Sequence, residues 1–301
     1  MAATRRLNEL ISTTIPKLEL PEGPVVVALS GGADSAALAL LAIEAGHEAT
    51  AVHVDHGLPS SPMMSQAAEA VAGTLRISLV TKRVQIPPGP SPEDRAREAR
   101  YRAFEEIGGP VLTAHTRDDL VETVLMNLVR GSGAAGLSGI PRFRPPHVYR
   151  PILDVTRAET RELATLAGLP FADDPMNQDM SLTRNRVRHR ILPLMRELNP
   201  QVDSALARAA QALERDAEFL EGLALPHARD PLPASVLTTL PRPLADRLVM
   251  RALERHGIAP TADRIERLWS VATGASRRQD LAEGLVARRA GALVVIEPDD
   301  S

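Results

Sequence analysis

The stretch that decides the fold is Val25-Val26-Val27-Ala28-Leu29-Ser30-Gly31-Gly32-Ala33-Asp34-Ser35. Its apolar opening, rich in β-branched residues, reads as a buried parallel strand, and residues 34–45, rich in alanine and leucine, read as the helix that follows. Between them Gly31 and Gly32 leave the backbone free to turn tightly, so that N–H groups can converge on an anion at the helix N-terminus. No lysine follows the glycines, which excludes the loop that grips β- and γ-phosphates with a Lys-Ser/Thr pair, and the glycine spacing misses the dinucleotide fingerprint. Ser30, Gly31, Gly32, Ala33, Asp34 and Ser35 are therefore the candidate phosphate cradle.

Working outward, the 301 residues suffice for two domains. Hydrophobic residues make up 44% and aromatics only 2%, so the core must be aliphatic. The absence of cysteine excludes disulfides, thiolate metal sites and persulfide chemistry. No apolar run reaches the length of a membrane span and no apolar signal segment follows the N-terminal arginines, which gives a cytoplasmic expectation. A net charge of −3 argues against a globally basic nucleic-acid coat and makes the location of any basic cluster the informative point.

Further strands are expected at 49–54, 77–84, 111–114 and 148–151, with helices between them: a doubly wound, Rossmann-like parallel sheet. The second strand delivers His53, Asp55 and His56 to the sheet's carboxyl edge. Strand alternation separates the histidines, so a nucleotide-lining reading of His53 and Asp55 outweighs a metal site. A proline-rich loop at 85–92 is long enough for a lid, and a helix rich in arginine, including Arg97, follows. The fourth strand leads to His115, Asp119 and Glu122, at i, i+4 and i+7, which places a histidine and two carboxylates on one helix face. Acids at a helix start often only complement its dipole, which accounts for Asp118 and Asp119 but not for Glu122, deeper in the helix. The segment 131–139, with Gly131 and Gly133, is too rich in glycine for a helix and reads as a second loop for phosphate or ribose, or as a connector. Residues 181–196 carry Arg184, Arg186, Arg188, Arg190 and Arg196 with no acid, the pattern of an anion or RNA contact. After Pro200 the composition changes, and 200–301 read as a smaller, mostly helical domain ending in short antiparallel strands, behind a catalytic domain at 1–199.

Together these blocks resemble the tRNA(Ile)-lysidine synthetases, within the PP-loop ATP pyrophosphatase superfamily. They are the Ser-Gly-Gly-X-Asp-Ser hexapeptide, His53-Val54-Asp55-His56-Gly57, Arg97-Glu98-Ala99-Arg100-Tyr101, His115-X-X-Asp-Asp-X-X-Glu-Thr, Arg130-Gly131-Ser132-Gly133, Asp174-Pro175-X-Asn177 and Arg184-Asn185-Arg186. Leu120 stands where the family has glutamine. The resemblance covers residues 20–200 and implies a carbon–nitrogen ligase that adenylates the wobble cytidine of tRNA(Ile) with a CAU anticodon, then joins it to L-lysine. It implies ATP as co-substrate and Mg²⁺ held through Asp34. It implies Asp119 and Glu122 as the lysine site, His115 as a proton-moving group, Arg97 as a catalytic contact to phosphate charge, and Arg184, Arg186, Arg188 and Arg190 as tRNA contacts. The oligomeric state stays open, a homodimer being one option. The competing readings are a tRNA thiolase, which the lack of cysteine disfavours, and an ATP-binding sensor, which needs neither the carboxylate pair nor the arginine cluster.

Overall fold

A computed structural model describes residues 1–57, 59–86, 92–282 and 284–299. The central part of the expected 85–92 lid, with Ser91 ahead of the next helix, lies outside the described residues, as does Glu283. The chain divides into two compact units, Met1–Ala212 and Leu213–Ser301.

The first unit is built on six strands: β1 (Val25–Ala28), β2 (Ala49–Asp55), β3 (Leu79–Arg83), β4 (Val111–Leu112), β5 (Phe143–Arg144) and β6 (Val148–Tyr149). Their order across the sheet is β3-β2-β1-β4-β6-β5, with every pair parallel except β5 and β6. The order reverses beside β1, whose neighbours are β2 and β4. A sheet of this kind opens a crevice at its carboxyl edge where the winding reverses, and the loop after β1 enters that crevice.

The helices of this unit are α1 (Ala2–Thr14), α2 (Ala33–Glu44), α3 (Ser61–Leu75), α4 (Pro92–Glu105), α5 (Arg117–Val129), α6 (Ala134–Leu137), α7 (Arg157–Leu166), α8 (Thr183–Arg186), α9 (Leu192–Leu198) and the first half of α10 (Val202–Ala224). Both faces of the sheet are covered, which is why β1 is apolar without interruption. Val25, Val27 and Leu29 join α2 and α7 in one core that includes Leu38, Leu41 and Leu163. On the other face Val26 and Ala28 meet Tyr101 and Phe104 of α4, with Val52, Val111 and Val148. Residues 35–42 of α2 are all buried, so its composition is apolar all round rather than striped.

Two local expectations are corrected, and the arginine-rich segment takes a defined form. Helix α5 starts at Arg117 with Thr116 as its cap, so His115 precedes the helix and shares no helical face with Asp119 and Glu122. Segment 131–139 does hold one short helix, α6, capped by Gly133 and anchored by the Asn127 amide, which donates to the Gly136 carbonyl at 2.7 Å. Residues 183–198 form a nearly continuous helical run interrupted by a wider π turn at Val187–Ile191.

In the second unit, α11 (Ala234–Thr239), α12 (Arg242–Arg255) and α13 (Ala262–Thr273) accompany a four-stranded antiparallel sheet. Its order is β7 (Leu232–Pro233), β10 (Leu293–Pro298), β9 (Leu285–Ala290) and β8 (Arg278–Ala282). Leu237, Leu248, Leu253, Leu268 and Val271 form its aliphatic core. Thr261 caps α13 by accepting the Arg264 N–H.

Candidate active site

The loop after β1 is tied to itself and to its surroundings. Ser35 Oγ donates to the Gly32 carbonyl at 2.9 Å and accepts the Ser30 N–H at 3.1 Å, while Ser30 Oγ and Ser35 Oγ lie 3.1 Å apart. Gly31 has φ +91°, and a Cβ there would stand 2.3 Å from the Met64 carbonyl oxygen. Its own carbonyl accepts the Ala172 N–H at 2.9 Å. Both the backbone conformation and the neighbouring backbone demand glycine. Gly31→Ala should therefore destabilise the protein by at least about 1 kcal/mol and displace the loop, read as a lower denaturation midpoint with weaker ATP binding. Unchanged stability and affinity would show that α3 yields freely.

Asp34, in the first turn of α2, is half-buried against α7. Thr160 donates its hydroxyl to Asp34 Oδ1, and Arg157 Nε lies 3.7 Å from Oδ2. Burial, reinforced by Asp119 and Asp118, outweighs the Thr160 and Arg157 contacts and pushes the carboxyl up to about 6. An under-compensated carboxylate at a phosphate cradle suits a divalent cation. Among the described residues no group of three or more His, Cys, Asp or Glu is arranged to hold a metal ion.

Beyond Asp34 lies a knot of charge that sequence order conceals. Arg157, at the start of α7, donates through Nη2 to Asp119 Oδ1 at 2.8 Å and through Nη1 to Glu122 Oε1 at 3.2 Å. Its guanidinium also stands 4.0 Å from Asp118 Oδ1, and its backbone N–H donates to Asp118 Oδ2 at 2.8 Å. One guanidinium thus touches four carboxylates, and their charge raises its already high pKa against the opposing effect of burial. Asp119 has a double use: Oδ2 accepts the Thr116 N–H and hydroxyl, both at 2.8 Å, in a capping box. Burial works against its charge, but Arg157, His115 and Thr116 together hold its carboxyl below the ordinary range.

Glu122 is fully buried. Arg188 grips it with a two-point fork, Nε to Oε1 at 2.7 Å and Nη2 to Oε2 at 3.0 Å, and Arg184 Nε lies 3.5 Å from Oε2. Residues 181–196 are free of acids in sequence but not in space, because α5 supplies them. Arg188, expected as a tRNA contact, has a side chain only 18% exposed that faces α5. Arg184 also turns inward, donating to Thr123 Oγ1 at 3.0 Å. Arg196 forks onto Asp203 at 2.7 and 2.8 Å. Arg186 and Arg190 are the exposed members of the cluster.

The remaining candidates divide. His115 follows β4, its Nδ1 3.1 Å from Thr113 Oγ1, and burial holds its imidazole well below the ordinary value against the pull of Asp119, keeping it neutral. His53 is buried, with Nδ1 2.9 Å from the Leu29 carbonyl, and so braces the base of the loop rather than lining its mouth. Asp55 accepts the Gly57 N–H at 2.8 Å, and this turn, with Ser61, holds its carboxyl below the ordinary range. Arg97 is exposed on α4, 5.6 Å from the centroid of the Tyr101 ring. Gly131 has φ +76° just after α5, and no neighbouring atom crowds the position of a Cβ at Gly131 or Gly133. Leu120 is buried among Val124, Ile140 and Leu153, so it makes an apolar contact where the family glutamine offers a polar one. Arg157 escaped the sequence reading. Its only signal was position, one residue after the helix-capping Thr156.

A parallel sheet with a Ser-Gly-Gly-X-Asp-Ser loop at its switch point defines the PP-loop class, and residues 2–195 match the model of the PP-loop domain family. The chain is 39% identical over 296 residues to a tRNA(Ile)-lysidine synthase of Thermus thermophilus, an alignment covering 92% of this chain but 57% of that protein. It is 39% identical to the tRNA(Ile)-lysidine synthase of Salinispora tropica, with 93% of each chain covered, and 38% identical to that of Salinispora arenicola, with 99% of this chain and 97% of the other covered. The chain belongs to the tRNA(Ile)-lysidine synthase family. Among solved structures, the U34-tRNA thiolase NcsA from Methanococcus maripaludis shares the fold, with a TM-score of 0.54, 19% identity, and coverage of 70% of this chain and 79% of that one.

Proposed function

We propose that the chain is an ATP-dependent carbon–nitrogen ligase that forms lysidine at the wobble cytidine of tRNA(Ile) with a CAU anticodon, acting in the cytoplasm. The observation that carries this reading is the position of Arg157, which touches Asp34 of the phosphate loop and both Asp119 and Glu122 of α5. A phosphate cradle and a carboxylate pair suited to an amine thus meet at one group. A nucleotide sensor has no use for that adjacency.

In the first half-reaction the cytosine 2-carbonyl oxygen attacks the α-phosphorus of ATP and the bond to pyrophosphate breaks. The backbone N–H groups of residues 30–35 and the N-terminus of α2 stabilise charge on the leaving group. Mg²⁺, when bound, would be held by Asp34 and would neutralise phosphate charge. In the second half-reaction the lysine ε-amine attacks C2 of the activated base, the C–O bond breaks, AMP leaves and the amine loses a proton. Asp119 and Glu122 hold the amino acid through its ammonium charge, which replaces a guanidinium among the carboxylates, and orient it for attack. We assign the proton to neutral His115, whose imidazole gains basicity when the anionic substrate sits beside it.

Incubating the protein with unmodified tRNA(Ile), ATP and isotopically labelled lysine tests this directly. Mass analysis should show one lysine added to the wobble nucleoside, with equimolar AMP and pyrophosphate. Pyrophosphate release without tRNA, or no gain in mass, would overturn the assignment.

The division of the arginine cluster makes its own prediction. Arg186→Ala with Arg190→Ala should weaken tRNA binding and flatten its salt dependence, by about one unit of slope for each phosphate no longer neutralised. Arg188→Ala should instead cost about 3–5 kcal/mol of stability, because Glu122 loses its forked partner inside the protein. Salt-series binding and denaturant titration of the two variants separate these effects. The reverse pattern would show that Arg188 faces the RNA.

A further inference from the structure

We propose that the arginines gathered around Tyr101 form a second anion site, separate from the residues 30–35 cradle, which takes backbone phosphate of the tRNA. The proposal rests on the tRNA reading above and goes beyond it by giving these residues a ligand. Arg150 is 1% exposed, and its Nη2 donates to the Tyr101 hydroxyl at 2.8 Å while Nη1 donates to the Pro141 carbonyl. The Arg144 guanidinium stacks 3.8 Å from the centroid of the Tyr101 ring, and Arg97 stands 5.6 Å from it. One phenol therefore organises three guanidinium groups from α4, β5 and the end of β6.

Two observations point to a missing anion. Among the described residues Arg97, Arg100, Arg144 and Arg150 form no ion pair, whereas the arginines facing α5 are all matched by carboxylates. Moreover, among the described residues Arg150 Nε is buried with no hydrogen-bond partner. Buried guanidinium donors left unpaired are costly, and cations crowded without counter-charge repel one another. In a chain of net charge −3 such a concentration of one sign needs a ligand to offset it. The forked N–H donors of arginine match phosphate oxygens, and stacking on an aromatic ring fixes the fork in place. The nucleotide already has its cradle at residues 30–35, so a second set of phosphate donors suits the RNA backbone. Arg150 acts as a positioning residue through Tyr101, while Arg144 and Arg97 meet the phosphate.

The test compares wild type with Arg144→Gln and with Tyr101→Phe, which keeps the ring but removes the acceptor for Arg150. Filter binding of tRNA over about 50–200 mM salt measures the slope of affinity against salt, and a separate titration measures ATP affinity. Arg144→Gln should lower the tRNA slope by about one unit and weaken binding by about tenfold at the higher salt, with ATP affinity unchanged. Tyr101→Phe should weaken tRNA binding while its own slope changes less, because the charges remain and only their placement loosens. A fall in ATP affinity at constant RNA slope would overturn the RNA assignment and give the phosphate to the nucleotide. Unchanged binding of both would overturn the site and leave a stacked arginine cluster serving the fold. Wild-type protein that binds neither ligand would instead fail at the functional reading and take this proposal with it.

Discussion

Asp34→Ala is expected to lower tRNA-dependent pyrophosphate release at least about a hundredfold, the scale of losing one charge-stabilising group at a developing anion. The residue lies in the first turn of α2, its carboxylate fixed by Thr160 on one oxygen and facing Arg157 on the other. The loss should fall on adenylation alone. Chemically prepared adenylated tRNA should still accept lysine in the variant, because Asp119 and Glu122 remain. Pyrophosphate release at near wild-type rate would remove Asp34 from the phosphate site.

The same residue should oppose stability. Its folded-state carboxyl is pushed up to about 6, mainly by burial, from an ordinary value of 3.8. The folded state therefore holds this proton more tightly than the unfolded state does. The contribution is favourable below about pH 4, is lost as pH rises toward 6, and stays lost above that. Asp34→Asn retains the acceptor for Thr160 without the charge. It should stabilise the unliganded protein by about 2–3 kcal/mol at pH 7 and by little at pH 4. Denaturant titrations at the two pH values check the sign, and a variant less stable at pH 7 would show that Arg157 compensates the charge fully.

What the sequence made legible were features carried by local pattern. The apolar run at 25–29, the glycines after it and the helices with acids in their first turn follow from backbone sterics, helix dipoles and burial within a few residues. They placed the phosphate loop at the carboxyl edge of a parallel sheet, where it is found. The chemistry of the arginines was not legible in that way. Arg188 looked unpaired because its carboxylate, Glu122, is 66 positions away. Arg157 looked like an ordinary first-turn residue because its four carboxylates lie on α2 and α5. Charge compensation is a property of space, and in a wound α/β fold it is set by which loops the sheet brings to one edge. The cap at Thr116 is the opposite case. Its local signal was present, but the i, i+4, i+7 spacing hid the fact that His115 precedes the helix.

Glu122→Gln is expected to act on the second half-reaction and on stability together, and the two can be separated. Its carboxylate is fully buried among Arg157, Arg184 and Arg188 at 3.2, 3.5 and 2.7 Å. Glutamine preserves the shape but leaves three guanidinium groups with one fewer negative charge. Breaking such a buried arrangement costs about 3 kcal/mol or more, which denaturant titration reads. Lysine should bind roughly ten- to a hundredfold more weakly, the scale of removing a charge-assisted hydrogen bond of about 1.5–3 kcal/mol. At a temperature where the variant remains folded, adenylated tRNA should form and accumulate when lysine is limiting, and high lysine should restore turnover. Arg188→Ala supplies the control, because it disturbs the same buried group while leaving the Glu122 charge in place. If weakened lysine binding comes only from loosening around α5, both variants should lose affinity in proportion to stability. If Glu122 carries the ammonium, Glu122→Gln should lose lysine affinity beyond that proportion, whereas Arg188→Ala should retain or gain it, since one competing guanidinium is gone. Normal lysine affinity in Glu122→Gln, or failure at adenylation itself, would make the residue an anchor for the arginines and move the amine site to Asp119 alone.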